Sequence, residues 1–343
     1  MEGMDLPKLI EQFSSEEKCR AYLEELRWPT GPQCPRCEKP TTVSRLASRN
    51  QFECDKCRYQ FSVTAGTLFH DSHLPLWKWF LAVYLMSESK KGISAKQLQR
   101  MLKVSYKTAW YLSHRIRDAM GDDEQPLLKG TVEVDETLIG GKRKGYGTGY
   151  RGNKVIVAGA IERGGEIRLR LVPNTRKKNL QGFIKSTVSD ETKNIYTDEL
   201  KSYIGIGNEN TRHETVEHSE DEYVRGDVHT NTVESAWSLL RRSVVGTYHQ
   251  ISVKHLPAYL DEMEFRFNRR NNPYLFRDIL LVLLHGDALP YHILIERTDP
   301  GERQRENDAL VKRTAKSLAR KERSSTLKNS KQKPRSKNKQ LAK

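Results

Sequence analysis

The chain has 343 residues, and 59 Lys+Arg against 44 Asp+Glu give a formal charge of +15. Residues 311–343 hold 13 Lys/Arg and one acid, so the surplus is largely a property of the tail and the remainder is nearly balanced. No stretch approaches the ~20 apolar residues of a membrane span, and the acidic start lacks the basic-then-apolar pattern of a secretory signal. An integral membrane protein is excluded, and the expected location is cytoplasmic.

In chain order, residues 5–28 predict two short helices, with Ser14 or Ser15 capping the second and Glu17 in reach of a capping box. Pro29, Gly31 and Pro32 then break the pattern. All five cysteines, Cys19, Cys34, Cys37, Cys54 and Cys57, fall in the first sixth of the chain, which is not how a disulfide framework is distributed. Cys34-x-x-Cys37 and Cys54-x-x-Cys57, 16 residues apart, have the spacing by which two knuckles present four thiolates to one tetrahedral Zn2+. Four cysteines close the coordination shell, so this zinc is structural; Arg36, Lys39, Arg45, Arg49 and Lys56 are the basic side chains that a DNA-contacting ribbon would use.

Residues 75–88 form a strongly apolar helix that needs a partner to cover it. Residues 92–120 then read as a helix-turn-helix: one helix begins near Ser94, a break falls at Val104–Ser105, and a second helix aligns Ala109, Leu112, Ile116 and Ala119. Tyr106, Lys107, Tyr111, His114 and Arg115 are expected on or near the second helix's exposed faces, where such side chains reach base edges and phosphates; Trp110 is assigned to the core.

After a polar joint the pattern changes to β. VEVDETLIG, NKVIVAGAIE and EIRLRLVPN are three strands, followed by a helix over about 176–188, the strand NIYTD, a short helix from Leu200 and a strand near 211–216. Helices over 232–245 and 253–268 close the unit. The Gly-rich segment 145–152 lacks the ending of a phosphate loop and is read as a hairpin loop. The Lys/Arg/Ser-rich tail after 301 is nearly without aromatics and is expected to be disordered.

Alternation in VEVDET places Val132 and Val134 on one face and Glu133 with Asp135 on the other. Asp198 ends NIYTD, and Glu234 follows after 35 residues near the start of a helix. Singly, each has a structural explanation: Asp135 pairs with a cation, Asp198 caps the next helix, and Asn231 with Glu234 forms a capping box. Together, two strand carboxylates and one helix carboxylate are a donor set for divalent cations on a phosphodiester. His229 and the acidic run 217–222 are assigned to loop and solvent roles.

This triad, with Arg241 or Arg242 two turns after the Glu, resembles that of DDE transposases and retroviral-type integrases. The ribbon, the helix-turn-helix, VEVDET, TDEL, HTNTVESAWSLLRR and GTYHQISVKHLPAYLDEMEFRFNRR together resemble transposases of the insertion-sequence 1595 group over about residues 10–285. The resemblance implies an RNase H-like mixed sheet flanked by helices behind the N-terminal ribbon and helix-turn-helix, an α+β, α/β multidomain chain. Its expected divisions are 1–32 (helices), 33–72 (zinc ribbon), 73–121 (helix-turn-helix), 128–285 (catalytic domain) and 301–343 (basic tail).

It also implies two Mg2+ (or Mn2+) ions on Asp135, Asp198 and Glu234, with Asn231 and Arg241 assisting. They would serve cleavage of the element's terminal repeats and 3′-hydroxyl strand transfer into target double-stranded DNA. Lys142, Arg143 and Lys144, after the first catalytic strand, are further expected phosphate contacts. A homo-oligomer working on the nucleoid follows, since two ends must be processed together. An inactive DNA-binding regulator and an RNase H-like nuclease without strand transfer are the alternatives.

Overall fold

The computed structural model describes residues 3–37, 41–121, 125–140, 154–207, 209–216 and 224–296. Residues 141–153, with Lys142, Arg143, Lys144 and the Gly-rich segment read as a hairpin loop, the acidic run and the tail lie outside the described residues.

Helices α1 (Leu6–Gln12) and α2 (Glu16–Arg27) start where short acceptors take their free amides: Asp5 accepts from Lys8 N, and Ser15 from Lys18 N. Strands β1 (Val43–Leu46), β2 (Gln51–Cys54) and β3 (Gln60–Phe61) make a small antiparallel sheet in that order. Its apolar content is little more than Phe52, Phe61 and Ala65 beside the cysteines, with Trp28 standing edge-on to Phe52 at 5.3 Å.

Helices α3 (Leu76–Glu88), α4 (Ala95–Leu102) and α5 (Tyr106–Met120) follow, with Ser94 and Ser105 capping the last two. Lys103, at the break between them, takes a left-handed φ of 52°. These helices share one core with α1 and α2, and α9 (Leu275–His285) completes it. Residues 275–285, expected inside the 128–285 block, belong to this N-terminal core instead. The stripe Leu275, Phe276, Ile279, Leu280, Leu283 and Leu284 is buried there, and Phe276 packs on Phe13 and Phe80. A short helix, α10 (Tyr291–Glu296), follows.

The second sheet runs in the order β6-β5-β4-β7-β8, from β4 (Thr131–Ile139), β5 (Val155–Glu162), β6 (Ile167–Val172), β7 (Asn194–Asp198) and β8 (Arg212–Val216). The first three are antiparallel neighbours, while β4, β7 and β8 pair in parallel. The crossover helix α6 (Lys177–Thr187) covers one face over Val132, Val134, Ala158 and Ala160. Helices α7 (Asn231–Ser243) and α8 (Leu256–Asn268) cover the other over Val157, Ile161, Ile167 and Leu169. This is the mixed sheet flanked by helices that the resemblance implies.

Helix α8 also closes the free edge of β6, which would otherwise offer unpaired amides to another chain. Glu264 Oε2 accepts from Leu169 N at 2.7 Å, and Asn268 Oδ1 from Ile167 N at 2.7 Å. Among the described residues no helix is long and apolar enough to cross a membrane.

Candidate functional site

The four ribbon cysteines carry free thiols whose sulfurs all lie within 4.8 Å of one another. Cys34 Sγ stands 3.6 Å from Cys57 Sγ, and Cys37 Sγ 3.8 Å from Cys54 Sγ. With Zn–S bonds of about 2.3 Å, a tetrahedron has edges of about 3.8 Å, so the cage fits a structural zinc. Cys19 stands apart in the helical core, its thiol pushed up to about 12 by burial.

The carboxylates are positioned by the sheet. Parallel pairing sets Val132 opposite Ile195 and Glu133 opposite Tyr196; carried two residues further, that register brings Asp198 level with Asp135 on the adjacent strand. Helix α7 crosses above them and presents Glu234 from its first turn. Asp135, Asp198, Glu234, Trp237, Arg241 and Arg242 all line one cleft of about 490 Å³, with Thr230 and Ser238.

Burial, together with the charges of Asp198 and Glu234, lifts the Asp135 carboxyl to about 6 against the opposing pull of a hydrogen bond from Trp237. Glu136 rises to about 7 through burial and the charges of Asp198 and Asp135, while Tyr203 donates to it at 2.5 Å. Crowded oxygen donors that raise one another's proton affinity are a setting that a hard divalent cation relieves.

Helix α7 is fixed over this cleft by three polar ties to β4. Its first amides are taken by a strand residue: Glu133 Oε2 accepts from Thr232 N at 2.8 Å and Val233 N at 3.0 Å. Glu133 Oε1 accepts from Thr232 Oγ1 at 2.8 Å and Arg163 Nε at 2.7 Å, with His229 Nδ1 3.3 Å away. One turn on, Trp237 Nε1 donates to Asp135 Oδ2 at 2.8 Å. A further turn on, Arg241 donates to Thr137 Oγ1 at 2.7 Å.

Asn231 is therefore not the helix cap. It is the first helical residue, exposed and outside the cleft lining, and Thr230 holds the cap position while donating to Glu234 Oε1 at 3.1 Å. Arg241 and Arg242 both reach the cleft, and Arg241 is the one tied to the strand. Glu133, Trp237 and Thr137 were not singled out from the sequence as site residues. Alternation put Glu133 on the Asp135 face, yet nothing local marked it as the acceptor for a helix a hundred residues away.

The expected DNA-reading face of α5 needs a larger correction. His114 and Arg115 are buried, not exposed. His114 packs at an angle on the rings of Trp110 and His255 and edge-on to Tyr259, because α8 and the turn before it lie against this side of α5. Arg115 lies over Tyr111 and donates to its hydroxyl at 2.6 Å, while Tyr111 itself donates to Leu289 O. Tyr106 and Lys107 are exposed at the start of the helix.

Residues 127–268 match the family model described as an ISXO2-like transposase domain, and residues 14–60 match a transposase zinc-ribbon domain. The chain is 31% identical over 277 residues to an uncharacterized protein in transposable element ISH50 of Halobacterium salinarum, covering 75% of this chain and 92% of that protein. Among solved structures, the Mos1 strand transfer complex aligns at 14% identity over 64% of this chain and 75% of that chain, with a TM-score of 0.28. A pre-cleavage Mos1 transpososome aligns at 13% identity over 59% and 77%, with a TM-score of 0.24.

Proposed function

The chain belongs to the insertion-sequence 1595 group of transposases, and on that premise we propose that it binds the terminal repeats of its own element and cuts and joins DNA at the Asp135–Asp198–Glu234 cleft. The observation that carries this reading is the placement of two carboxylates on adjacent parallel strands opposite a third on α7.

In this reading Asp135, Asp198 and Glu234 hold two Mg2+ (or Mn2+) ions, which supply activation of the attacking water or 3′-hydroxyl and neutralisation of the leaving oxygen. Trp237 keeps one oxygen of Asp135 engaged and so orients the other toward the cleft. Glu133 holds the start of α7, and with it Glu234, at a set distance from the strands. Arg241 and Arg242 place positive charge where a scissile phosphate would sit. No side chain need bond covalently to DNA, because the acids position a nucleophile that comes from water or from the DNA end itself.

The ribbon with its zinc and the exposed start of α5, Tyr106 and Lys107, are assigned to holding the element's end. Lys142, Arg143 and Lys144 remain proposed phosphate contacts, and Asn231 a proposed assistant to the acids. Two copies acting together on the nucleoid would bring both ends to one target.

The test is a Mg2+-dependent cleavage and strand-transfer assay on duplexes carrying the element's termini, comparing wild type with Asp135→Asn, Asp198→Asn and Glu234→Gln. Nicking at the ends and joining by wild type alone is the expected result. Wild-type binding without cutting in Mg2+ or Mn2+ would instead favour the regulator reading, and cutting without joining the nuclease reading.

A further inference from the structure

We propose that a basic cavity beside the carboxylate cleft, walled by Lys90, Arg242, Arg266, Arg269 and Arg270, is a channel for the sugar-phosphate backbone of the DNA that leaves the cleft. The proposal rests on the functional reading above and assigns a second, sequence-independent contact surface to it.

Helical spacing makes the two sites neighbours. Glu234, Ser238 and Arg241 form one stripe of α7 and line the cleft; Ser235, Leu239 and Arg242 form the adjacent stripe and line a cavity of about 690 Å³. Arg242 lines both. A strand whose phosphate sits among the carboxylates therefore passes Arg242 and arrives over this cavity. Its far wall is the end of α8 and the residues that follow, together with the end of α3.

Two of the guanidiniums are held in place by backbone carbonyls. Arg270 donates to the carbonyls of Gly165 and Phe267, at 3.2 and 2.8 Å, and Arg266 to those of Ser89 and Glu262. Carbonyl partners fix a guanidinium and leave its positive charge available. Lys90 and Arg242 make no ion pair among the described residues. Among the described residues Glu88 is the one acid in the lining, and Glu262, with which Arg266 pairs at 3.6 Å, is shared with Arg117 at 2.6 Å. Cations gathered around a cavity that borders the cleft are complementary to a polyanion that must be held beyond the reacting phosphate.

Phosphate contacts are read by salt, since each one formed releases counterions and steepens the fall of log K with log salt by about one unit. Anisotropy titrations over a salt series would use the full chain with two labelled duplexes, one from the element's terminus and one unrelated. For Lys90→Gln/Arg270→Gln we expect the slope to fall by about two units on both duplexes. Arg270→Lys should recover most of the affinity, because it keeps the charge while losing the fork to the carbonyls; a purely structural Arg270 would not be rescued.

Lys178→Gln/Lys185→Gln, on α6 over the opposite face of the sheet, should leave the slope unchanged. Should the double variant fail to fold, Lys90→Gln alone should lower the slope by about one unit. A wild-type slope in the folded channel variants, or an equal loss in the α6 pair, overturns the channel. Because the readout is binding without metal, a wild type that never cuts would sink the catalytic reading and leave this test standing.

Discussion

Trp237 and Asp135 are joined by an indole N–H donated to a half-buried carboxylate at 2.8 Å, and a glycine makes the approach possible. Gly159 pairs with Asp135 across β4 and β5, and a Cβ there would stand 2.5 Å from the indole ring. A bare backbone in mid-strand is thus the floor on which the aromatic lies.

Trp237→Phe keeps most of the ring and deletes the donor. A hydrogen bond to a charged group is worth about 1.5–3 kcal/mol, so a ten- to hundredfold fall in the rate of end cleavage is expected, with Kd for the terminal duplex unchanged. Gly159→Ala should add a packing penalty of about 1–3 kcal/mol, lowering Tm as well as the rate. Single-turnover cleavage and thermal melting separate the two, and wild-type rates in Trp237→Phe would show that the indole does not orient the acid.

Glu133 is fully buried and satisfies two amides at the start of α7 together with Thr232 and Arg163. Glu133→Ala strands those donors, each at about 1–3 kcal/mol, and frees the helix end that carries Glu234. The expected outcome is a loss of about 3 kcal/mol or more in urea unfolding and a large loss of cleavage. Glu133→Gln, which keeps one acceptor oxygen, should fall between this variant and wild type in both measurements. Equal unfolding midpoints for all three proteins would contradict the capping role.

Local pattern carried much of this architecture. Serines followed by apolar periodicity marked the starts of α2, α4 and α5, and strict alternation in VEVDET separated Val132 and Val134 from Glu133 and Asp135, on the two faces that α6 and α7 turn out to cover. What local pattern could not carry was the identity of distant partners. His114 and Arg115 read as exposed until α8 and residues near Leu289 are laid against α5. Helix α9 has the same amphipathic stripe whichever core it joins, and only packing on Phe13 and Phe80 decides. Asn231 looked like a cap because the acceptor that replaces it, Glu133, comes from a strand far upstream.

The ribbon gives a metal prediction. Its own apolar core is Phe52, Phe61 and Ala65 beside the cysteines, with Trp28, Val43 and Tyr59 packed against them, too little to hold a fold of this kind without a metal. Purified protein should contain one Zn2+ per chain by elemental analysis. Chelation should release it and unprotect the amides of 43–61 to hydrogen exchange, while those of the larger sheet stay protected. Cys57→Ser should reproduce that local loss. A zinc-free protein with a protected ribbon would refute the assignment.

A buried ion pair ties the helix-turn-helix to the unit of the larger sheet: Arg117 of α5 donates to Glu262 of α8 at 2.6 Å, both nearly inaccessible to water, and Tyr248, just past α7, adds a hydrogen bond at 3.1 Å. Burial works to raise the Glu262 carboxyl, but the charges of Arg117 and Arg266 outweigh it and hold the group below its ordinary 4.5. A depressed carboxylate contributes stability above its unfolded value and loses it as pH falls through the folded one. The wild type should therefore lose stability on acidification from about pH 4.5 downward, and Glu262→Gln should flatten that part of the curve.

Arg117→Met leaves the acid buried without its main partner and should cost about 3–5 kcal/mol at neutral pH. Arg117→Met/Glu262→Leu removes both charges and should recover most of that loss. Denaturant unfolding of the four proteins closes the cycle. A double variant no more stable than Arg117→Met would mean that the surrounding aromatics, Tyr248 and Tyr259 stacked on the guanidinium, are what join the two units, and not the pairing of charges.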